Sequence, residues 1–449
     1  MKKKYFFIII IGLFVVAAGF LAIEHKKKHK VKGDIVVFYP LKERPGYKKQ
    51  SAEEKKQQEN FANLMKVVRT NPSDTKSRIA LAGLYINEAR ITGDYDYYNG
   101  AAMKYVDEVL EIDSLHFEAL TYKSLLYLSQ HHFEEGLSLA EKARALVPEN
   151  AFAHGILVDA NVEMGKYEKA VEEADKMISI RPDLRSYSRV SYLREIHGDY
   201  PGAIDAMKLA VDAGYPGDEA TEWSRVRLGY LYETIGDLKS AEMHYLIALQ
   251  RRPAYAYAIA GLGRIAIASN EFSEAVHYFM QADSLVIDNS IKEELASAYL
   301  FAGQKKKADS ILHALLDDMN EHGEEGHHQN LSHHADKELA HLYMKAGDYD
   351  EALEHALKEY RRRPANIDVN ETVAWAYYLK RDYNEAIPYI LAAMKTNSKK
   401  PALLCRAGLI YARTNEKTKA KRFLEASMIN DFTIDQCLKE EAINTLATL

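Results

Sequence analysis

The sequence predicts an all-α fold, a solenoid of about ten helix pairs preceded by one transmembrane helix. Three observations support this prediction. Amphipathic segments recur about every 34 residues, an uncharged run lies close to the first residue, and the composition is that of a folded chain. Of the 449 residues, 47% are hydrophobic and 28% are charged, which excludes a protein that is disordered throughout.

The first segment, residues 1–24, is predicted to be a transmembrane signal anchor. Three lysines precede the uncharged run Tyr5–Ile23, which as a helix would be about 28 Å long and would span a bilayer core. The alternative is a signal peptide that is removed by cleavage. The small residues 17–19 match such a cleavage site only loosely, and they lie inside the run. Residues 25–50 follow as a basic juxtamembrane linker, whose lysines would suit anionic headgroups.

The charge is unevenly distributed along the chain. The formal net charge is −6, and residues 1–32 carry eight lysines and one acid, so the remainder of the chain is strongly acidic. An acidic body argues against nucleic acid as a partner. Lysines flank the apolar run on both sides, so the positive-inside rule hardly distinguishes the two orientations. Because a short basic tail usually stays in the cytoplasm, we expect a single-pass membrane protein whose body is periplasmic.

The repeat unit is clearest between residues 222 and 255. Two amphipathic segments flank a tight Gly-Asp turn, with small and aromatic residues at fixed positions: Leu228, Gly229, Tyr232, Gly236, Asp237, Ala241, Tyr245, Ala248 and Pro253. The same spacing recurs along the chain. It predicts units that start near residues 75, 117, 151, 184, 222, 256, 289, 333, 367 and 401.

This pattern resembles the tetratricopeptide repeat, which joins a small-x-x-Tyr helix to a second, Ala-containing helix and closes with Pro. The resemblance implies a right-handed α-solenoid in which the repeats occupy residues 75–432. A capping helix is predicted on either side, over 51–74 and 433–449. Small residues allow the two helices of a pair to approach closely, and each pair buries its apolar face against its neighbours. Another kind of helical-pair solenoid is the alternative.

In this family the first helix of each pair lines an inner groove, so the resemblance implies a protein-binding surface there. Arginine and aromatic residues are enriched in binding hot spots. The alternative is that these side chains pack between helices or pair with acids, and the aromatic positions would also suit a homo-oligomer interface. The predicted groove residues are Arg185, Arg189, Tyr192, Trp223, Arg227, Tyr230, Glu233, Tyr257, Arg264, Trp375 and Tyr378.

One insertion, residues 320–333, is rich in histidine and lengthens the interval between two units. Six of the 17 histidines fall between residues 322 and 341. His334, Glu338 and His341 are spaced four and three residues apart, which places them on one face of a helix and makes them candidate ligands of a transition metal. A solvated loop without specific metal binding is the alternative.

Catalytic signatures are missing from the sequence. It contains no Gly-x-Ser-x-Gly elbow and no phosphate loop that ends in Gly-Lys-Ser/Thr. We therefore predict no enzymatic activity, no catalytic residues and no cofactor. The predicted function is a membrane-tethered scaffold that binds a protein or peptide in its groove and recruits or organises a cell-envelope complex. The alternative is a metal-binding protein that uses the histidine cluster at 322–341.

Overall fold

The computed structural model describes residues 39–46, 51–324 and 333–449, and residues 43–449 form one unit. The predicted anchor at 1–24, most of the linker and most of the histidine-rich insertion lie outside the described residues, so these remain predictions. Within the described ranges, no helix combines the length and the apolar character needed to cross a bilayer.

The described residues form α-helices and one 3₁₀ helix, and they contain no β-strand. Helix α1 spans Ala52–Thr70. Ten pairs follow: α2 (Thr75–Thr92) with α3 (Tyr95–Ile112), α4 (Phe117–Ser129) with α5 (Phe133–Leu146), α6 (Ala151–Glu163) with α7 (Tyr167–Ile180), α8 (Leu184–Ile196) with α9 (Tyr200–Asp212), α10 (Glu219–Thr234) with α11 (Leu238–Arg251), α12 (Ala256–Ala268) with α13 (Phe272–Asp283), α14 (Asn289–Phe301) with α15 (Lys305–Glu324), α16 (Asp336–Ala346) with α17 (Tyr349–Arg362), α18 (Ile367–Leu379) with α19 (Tyr383–Ala393), and α20 (Pro401–Arg413) with α21 (Lys417–Ser427). The 3₁₀ helix Met428–Thr433 and α22 (Gln436–Leu446) come last. This architecture confirms the predicted all-α helical repeat fold.

Each pair turns through one residue whose backbone is left-handed. Glycine adopts this conformation without the steric cost that a Cβ imposes, and asparagine tolerates it. The next residue often caps the second helix, as when the Asp237 side chain accepts a hydrogen bond from the amide of Ser240. This explains the recurrent Gly-Asp turn. The left-handed residues are Gly93, His131, Gly165, Gly198, Gly236, Asn270, Gly303, Gly347, Arg381 and Asn415.

Small residues set the distance between helices, and large aromatic side chains fill the spaces that remain. Tyr245 is fully buried and contacts two first helices at once. A Cβ added at Gly229 would lie 2.5 Å from its ring, and one added at Gly261 would lie 2.6 Å away. Both positions therefore require glycine as long as Tyr245 occupies this space.

Helix pairs that are six positions apart in the chain contact one another. The amide of Ile287 donates to the carbonyl of Thr92 at 2.8 Å, and the amide of His334 donates to the carbonyl of Gln130 at 3.2 Å. The amide of Ile367 likewise donates to the hydroxyl of Tyr167 at 2.9 Å. The earlier partner lies at or next to the turn between the two helices of one pair. The later partner lies just before, or at the first residue of, the pair that follows six places later in the chain.

We call this contact the interturn seam. Its earlier side comprises residues 92–93, 130–132, 163–167 and 198, and its later side comprises residues 287, 333–334, 363–367 and 397–399. The regular offset means that about six pairs complete one superhelical turn and that successive turns touch. The seam therefore closes the wall of the superhelix around an inner channel.

Candidate protein-binding channel

The first helices of the pairs form the inner layer of the superhelix. The first helices of neighbouring pairs pack side by side, as α10 does with α12 and α16 with α18, and they do so more closely than the second helices. The axis of curvature therefore lies on their side. Side chains on the free face of the first helices point toward the channel, which is where the groove residues are predicted.

A series of ion pairs runs along this inner face, from one first helix to the next. Arg189 of α8 binds Asp159 of α6 at 2.5 Å, and Arg227 of α10 binds Glu195 of α8 at 2.9 Å. Arginines predicted to contact a ligand thus have acidic partners within the protein. This matches the alternative that some groove residues pair with acids.

Arg264 is the most extensively paired of these arginines. Its guanidinium binds Glu233 of α10 at 3.0 Å and Glu294 of α14 at 3.1 Å, so it connects three successive first helices. Glu233 also accepts a hydrogen bond of 2.6 Å from the hydroxyl of Tyr245 and is only 3% exposed. Glu233 therefore belongs to the internal structure of the wall and is too buried to contact a ligand.

Aromatic side chains on the same face remain partly exposed. Tyr192 and Trp223 are each 37% exposed, and Tyr230 is half-buried, with the guanidinium of Arg227 4.6 Å from its ring centre. Desolvation by the surrounding protein raises the pKa of Tyr192 well above its ordinary value, and Asp368 adds to this effect from the next superhelical turn. Tyr192 is therefore accessible at its surface while protein surrounds it on several sides.

Arg185 differs from the other arginines of this face. Its guanidinium lies 5.4 Å from the ring centre of Phe152, and desolvation and the neighbouring charge of Arg189 lower its pKa. Arg185 is exposed. It is therefore a cation of the channel wall that an acidic group of a ligand would stabilise.

The remaining predicted groove residues are placed less favourably for a ligand. Tyr378 is 5% exposed and donates a hydrogen bond of 2.5 Å to Glu441, so it packs against the carboxyl-terminal helices and does not line the channel. Trp375 is half-buried and stacks on Tyr378, with ring centres 4.6 Å apart. Burial also raises the pKa of Tyr257, which packs against Tyr255.

The three predicted metal ligands do not converge. Nε2 of His341 lies 2.9 Å from the hydroxyl of Thr372 on α18, and burial lowers the pKa of His341 well below its ordinary value. His334 stacks on His132, with ring centres 4.0 Å apart. Within the described residues, the group whose ligand atoms come together is His131, His333 and Glu338. His131 could not be recognised from the sequence as a member of this group, because it lies about two hundred residues upstream and only the superhelix brings it close.

Two segments of the chain, residues 123–184 and 337–401, match the sequence model of the tetratricopeptide repeat. A stretch of 96 residues is 29% identical to the small glutamine-rich tetratricopeptide repeat-containing protein 2 of Saccharomyces cerevisiae. This match covers 21% of the present chain and 27% of the yeast protein, so the chain spans about a quarter of the length of that relative.

Several solved structures are also similar to parts of the chain. PilW, described as a widely conserved type IV pilus biogenesis factor, is 17% identical with a TM-score of 0.38, and the match covers 45% of this chain and 94% of PilW. A tetratricopeptide repeat protein from Parabacteroides merdae is 16% identical with a TM-score of 0.41, over 54% of this chain and 92% of its own. MamA is 19% identical with a TM-score of 0.29, over 35% and 90% respectively. The two matched segments are thus similar to the tetratricopeptide repeat, and the described helix pairs have the two-helix architecture of such a repeat.

Proposed function

We propose that this protein is a non-enzymatic scaffold that binds an extended segment of a partner protein inside the channel of its superhelix. The observation that carries the proposal is the partial exposure of Tyr192 and Trp223 on an inner face whose arginines are otherwise paired. Large aromatic side chains that remain accessible in a concave site contribute much of the affinity in protein recognition.

The shape of the site favours a peptide segment over a folded domain. Tyr192 and Trp223 lie on the concave side of the superhelix, whose successive turns touch along the interturn seam. An extended segment fits such a space, and its apolar side chains would cover the aromatic rings. The ion pairs of Arg189 and Arg227 neutralise these two arginines, whereas Arg185 leaves one place for an acidic group of the ligand.

The proposal also includes a cellular location for this scaffold. The uncharged run Tyr5–Ile23 would tether the chain to a membrane, with the helical body on the periplasmic side. A scaffold held there would recruit or organise a cell-envelope complex. Both the tether and its orientation rest on the amino-acid sequence.

Site-specific crosslinking tests the proposal. A photoreactive amino acid at Trp223 in intact cells should capture one discrete protein, which mass spectrometry identifies, and the same probe at Tyr215 should not. Tyr215 is the matched control because it is 80% exposed and lies in the loop before α10. A crosslink between two copies of this chain would instead indicate a homo-oligomer interface.

A binding measurement with the purified components completes the test. A peptide from the captured segment should bind the wild-type protein, and Trp223→Ala should weaken binding at least about tenfold, as expected for a hot-spot aromatic residue. Tyr215→Ala should leave the affinity unchanged. The reverse pattern, with binding lost in Tyr215→Ala and kept in Trp223→Ala, would move the binding site to the outer surface and refute the proposal.

A further inference from the structure

Four imidazole rings meet where the second helix pair touches the loop ahead of the eighth. The ring centres of His131 and His333 are 4.4 Å apart, and those of His132 and His334 are 4.0 Å apart. Nδ1 of His131 lies 3.0 Å from the carbonyl oxygen of His334 and 3.8 Å from Oε2 of Glu338. One potential ligand atom from each of His131, His333 and Glu338 lies within 4.8 Å of the other two.

One carboxylate oxygen of this cluster is buried without a hydrogen-bond donor. Oε2 of Glu338 is buried and accepts no hydrogen bond from any described residue. A buried carboxylate oxygen without a hydrogen bond is costly, because it has lost its water without gaining a donor. A cation bound at this oxygen would remove that cost.

The backbone at His131 is a further observation on this cluster. His131 has a left-handed backbone, with φ of 62°, at the turn position that glycine occupies in most of the other pairs. The turn itself therefore gives no reason for an imidazole here. A cavity of about 300 Å³ adjoins His131, and its wall includes Lys337 and Arg363, of which Arg363 is paired with Glu163 and Glu359.

We propose that His131, His333 and Glu338 bind one divalent transition-metal ion, for which Zn²⁺ is the best match. Two imidazole nitrogens and one carboxylate oxygen form a common zinc ligand set. The site exists only in the folded superhelix, because its ligands come from chain segments about two hundred residues apart.

The bound metal would join successive turns of the superhelix. His131 belongs to the earlier side of the interturn seam. His333 belongs to its later side, and Glu338 lies at the start of α16. Because the unfolded chain does not hold these ligands together, the ion would stabilise the folded wall of the channel. The metal site goes beyond the proposed function, since it concerns the wall and not the bound partner.

Metal titration of the full chain, purified free of metal in detergent, tests this proposal. Zn²⁺ in competition with a chromophoric chelator should bind at about one ion per chain. His131→Asn should weaken binding at least about tenfold, and Glu338→Gln should do the same. Asparagine is the chosen replacement because Asn270 and Asn415 occupy the equivalent left-handed position in two other pairs, so the variant keeps a suitable turn residue.

Two controls separate this site from other histidines. His313→Asn changes an exposed histidine of α15 and should leave the affinity within about threefold of wild type. The double variant His327→Ala/His328→Ala changes the histidine-rich insertion outside the described residues, and it should also keep the affinity. An unchanged affinity in His131→Asn, or loss of binding in the double variant alone, would show an adventitious ion only and would refute the site.

Thermal unfolding gives an independent readout. Zn²⁺ should raise the unfolding temperature of the wild type and of His313→Asn but not that of His131→Asn. An equal shift in all three proteins would also refute a metal that joins the two turns. Absence of the metal site would not refute peptide binding at Trp223, because Trp223 lies outside the interturn seam. The two proposals can therefore be refuted independently.

Discussion

Arg363 forms an ion pair with Glu163, a residue 200 positions earlier in the chain. Arg363 follows α17 directly and its side chain is 3% exposed, whereas Glu163 ends α6. Arg363 also binds Glu359 one helical turn away, and its guanidinium lies 4.1 Å from the ring centre of Phe133. One buried arginine thus connects three helix pairs across the interturn seam.

Replacing this arginine should destabilise the seam. Arg363→Met removes the charge while keeping much of the side-chain volume, and it leaves the buried carboxylate of Glu359 with Arg362 as its remaining cation. We expect a loss of about 3 kcal/mol in the free energy of unfolding, measured by urea titration. Arg361→Met at the neighbouring exposed position should change it by less than about 0.5 kcal/mol. Equal effects of the two variants would contradict a structural role for the pair.

Gly165 offers a test of how closely the turns approach. Its φ is +69°, and a Cβ at this residue would lie 2.2 Å from the carbonyl oxygen of Ala365 in the next turn. Gly347 has φ of +93° with nothing within 4 Å of its Cβ position, so it is the matched control. Gly347→Ala should cost about 1 kcal/mol through backbone strain alone. Gly165→Ala should cost about 3 kcal/mol, because the two turns must also separate.

X-ray scattering in solution distinguishes these two glycine variants further. Gly165→Ala should increase the radius of gyration relative to wild type, whereas Gly347→Ala should not. Identical scattering and identical unfolding midpoints for the two variants would show that successive turns do not touch at Gly165.

The hydroxyl of Tyr245 should contribute measurably to stability. It donates a hydrogen bond of 2.6 Å to the buried carboxylate of Glu233. Tyr245→Phe keeps the ring that Gly229 and Gly261 contact, so it removes this bond and the weaker one of 3.3 Å that the hydroxyl accepts from Arg264. We expect a loss of about 1.5 kcal/mol in the free energy of unfolding, since hydrogen bonds to charged groups exceed neutral ones. Tyr349→Phe, at an exposed tyrosine, should have almost no effect, and a similar loss there would contradict this account.

Acidification should destabilise the protein through His244. Burial lowers the pKa of His244 from 6.5 to about 4, and the charges of Arg225 and Lys208 add to this effect. Between these pH values the unfolded chain binds a proton that the folded chain does not, so stability falls as the pH decreases. The slope from this group reaches at most about 1.4 kcal/mol per pH unit and disappears above pH 6.5.

The variant His244→Phe isolates this contribution. It keeps an aromatic ring stacked on Tyr232, whose ring centre lies 5.5 Å from that of His244. Urea titrations at about pH 7.5 and at about pH 5 should show a smaller loss of stability in the variant than in wild type. Parallel losses in both proteins would show that His244 does not titrate in this way.

The amino-acid sequence by itself was sufficient to predict a solenoid of helix pairs. Each pair is a local unit, in which a residue such as Gly236 allows the left-handed turn and Asp237 caps the next helix. Small residues such as Gly229 and large ones such as Tyr245 then set the spacing of adjacent helices. Because these interactions span fewer than about 40 residues, they recur as a visible period.

Only the tertiary structure decided which of the candidate site residues share a surface. The curvature of a solenoid is the sum of small rotations between neighbouring pairs, and no single motif encodes it. That sum brings Arg363 to Glu163 and His131 to His333, and it buries Tyr378 while leaving Trp223 exposed. The sequence therefore determined the repeating unit and the residue types on its inner face, whereas the number of pairs per superhelical turn determined the channel and the interturn seam.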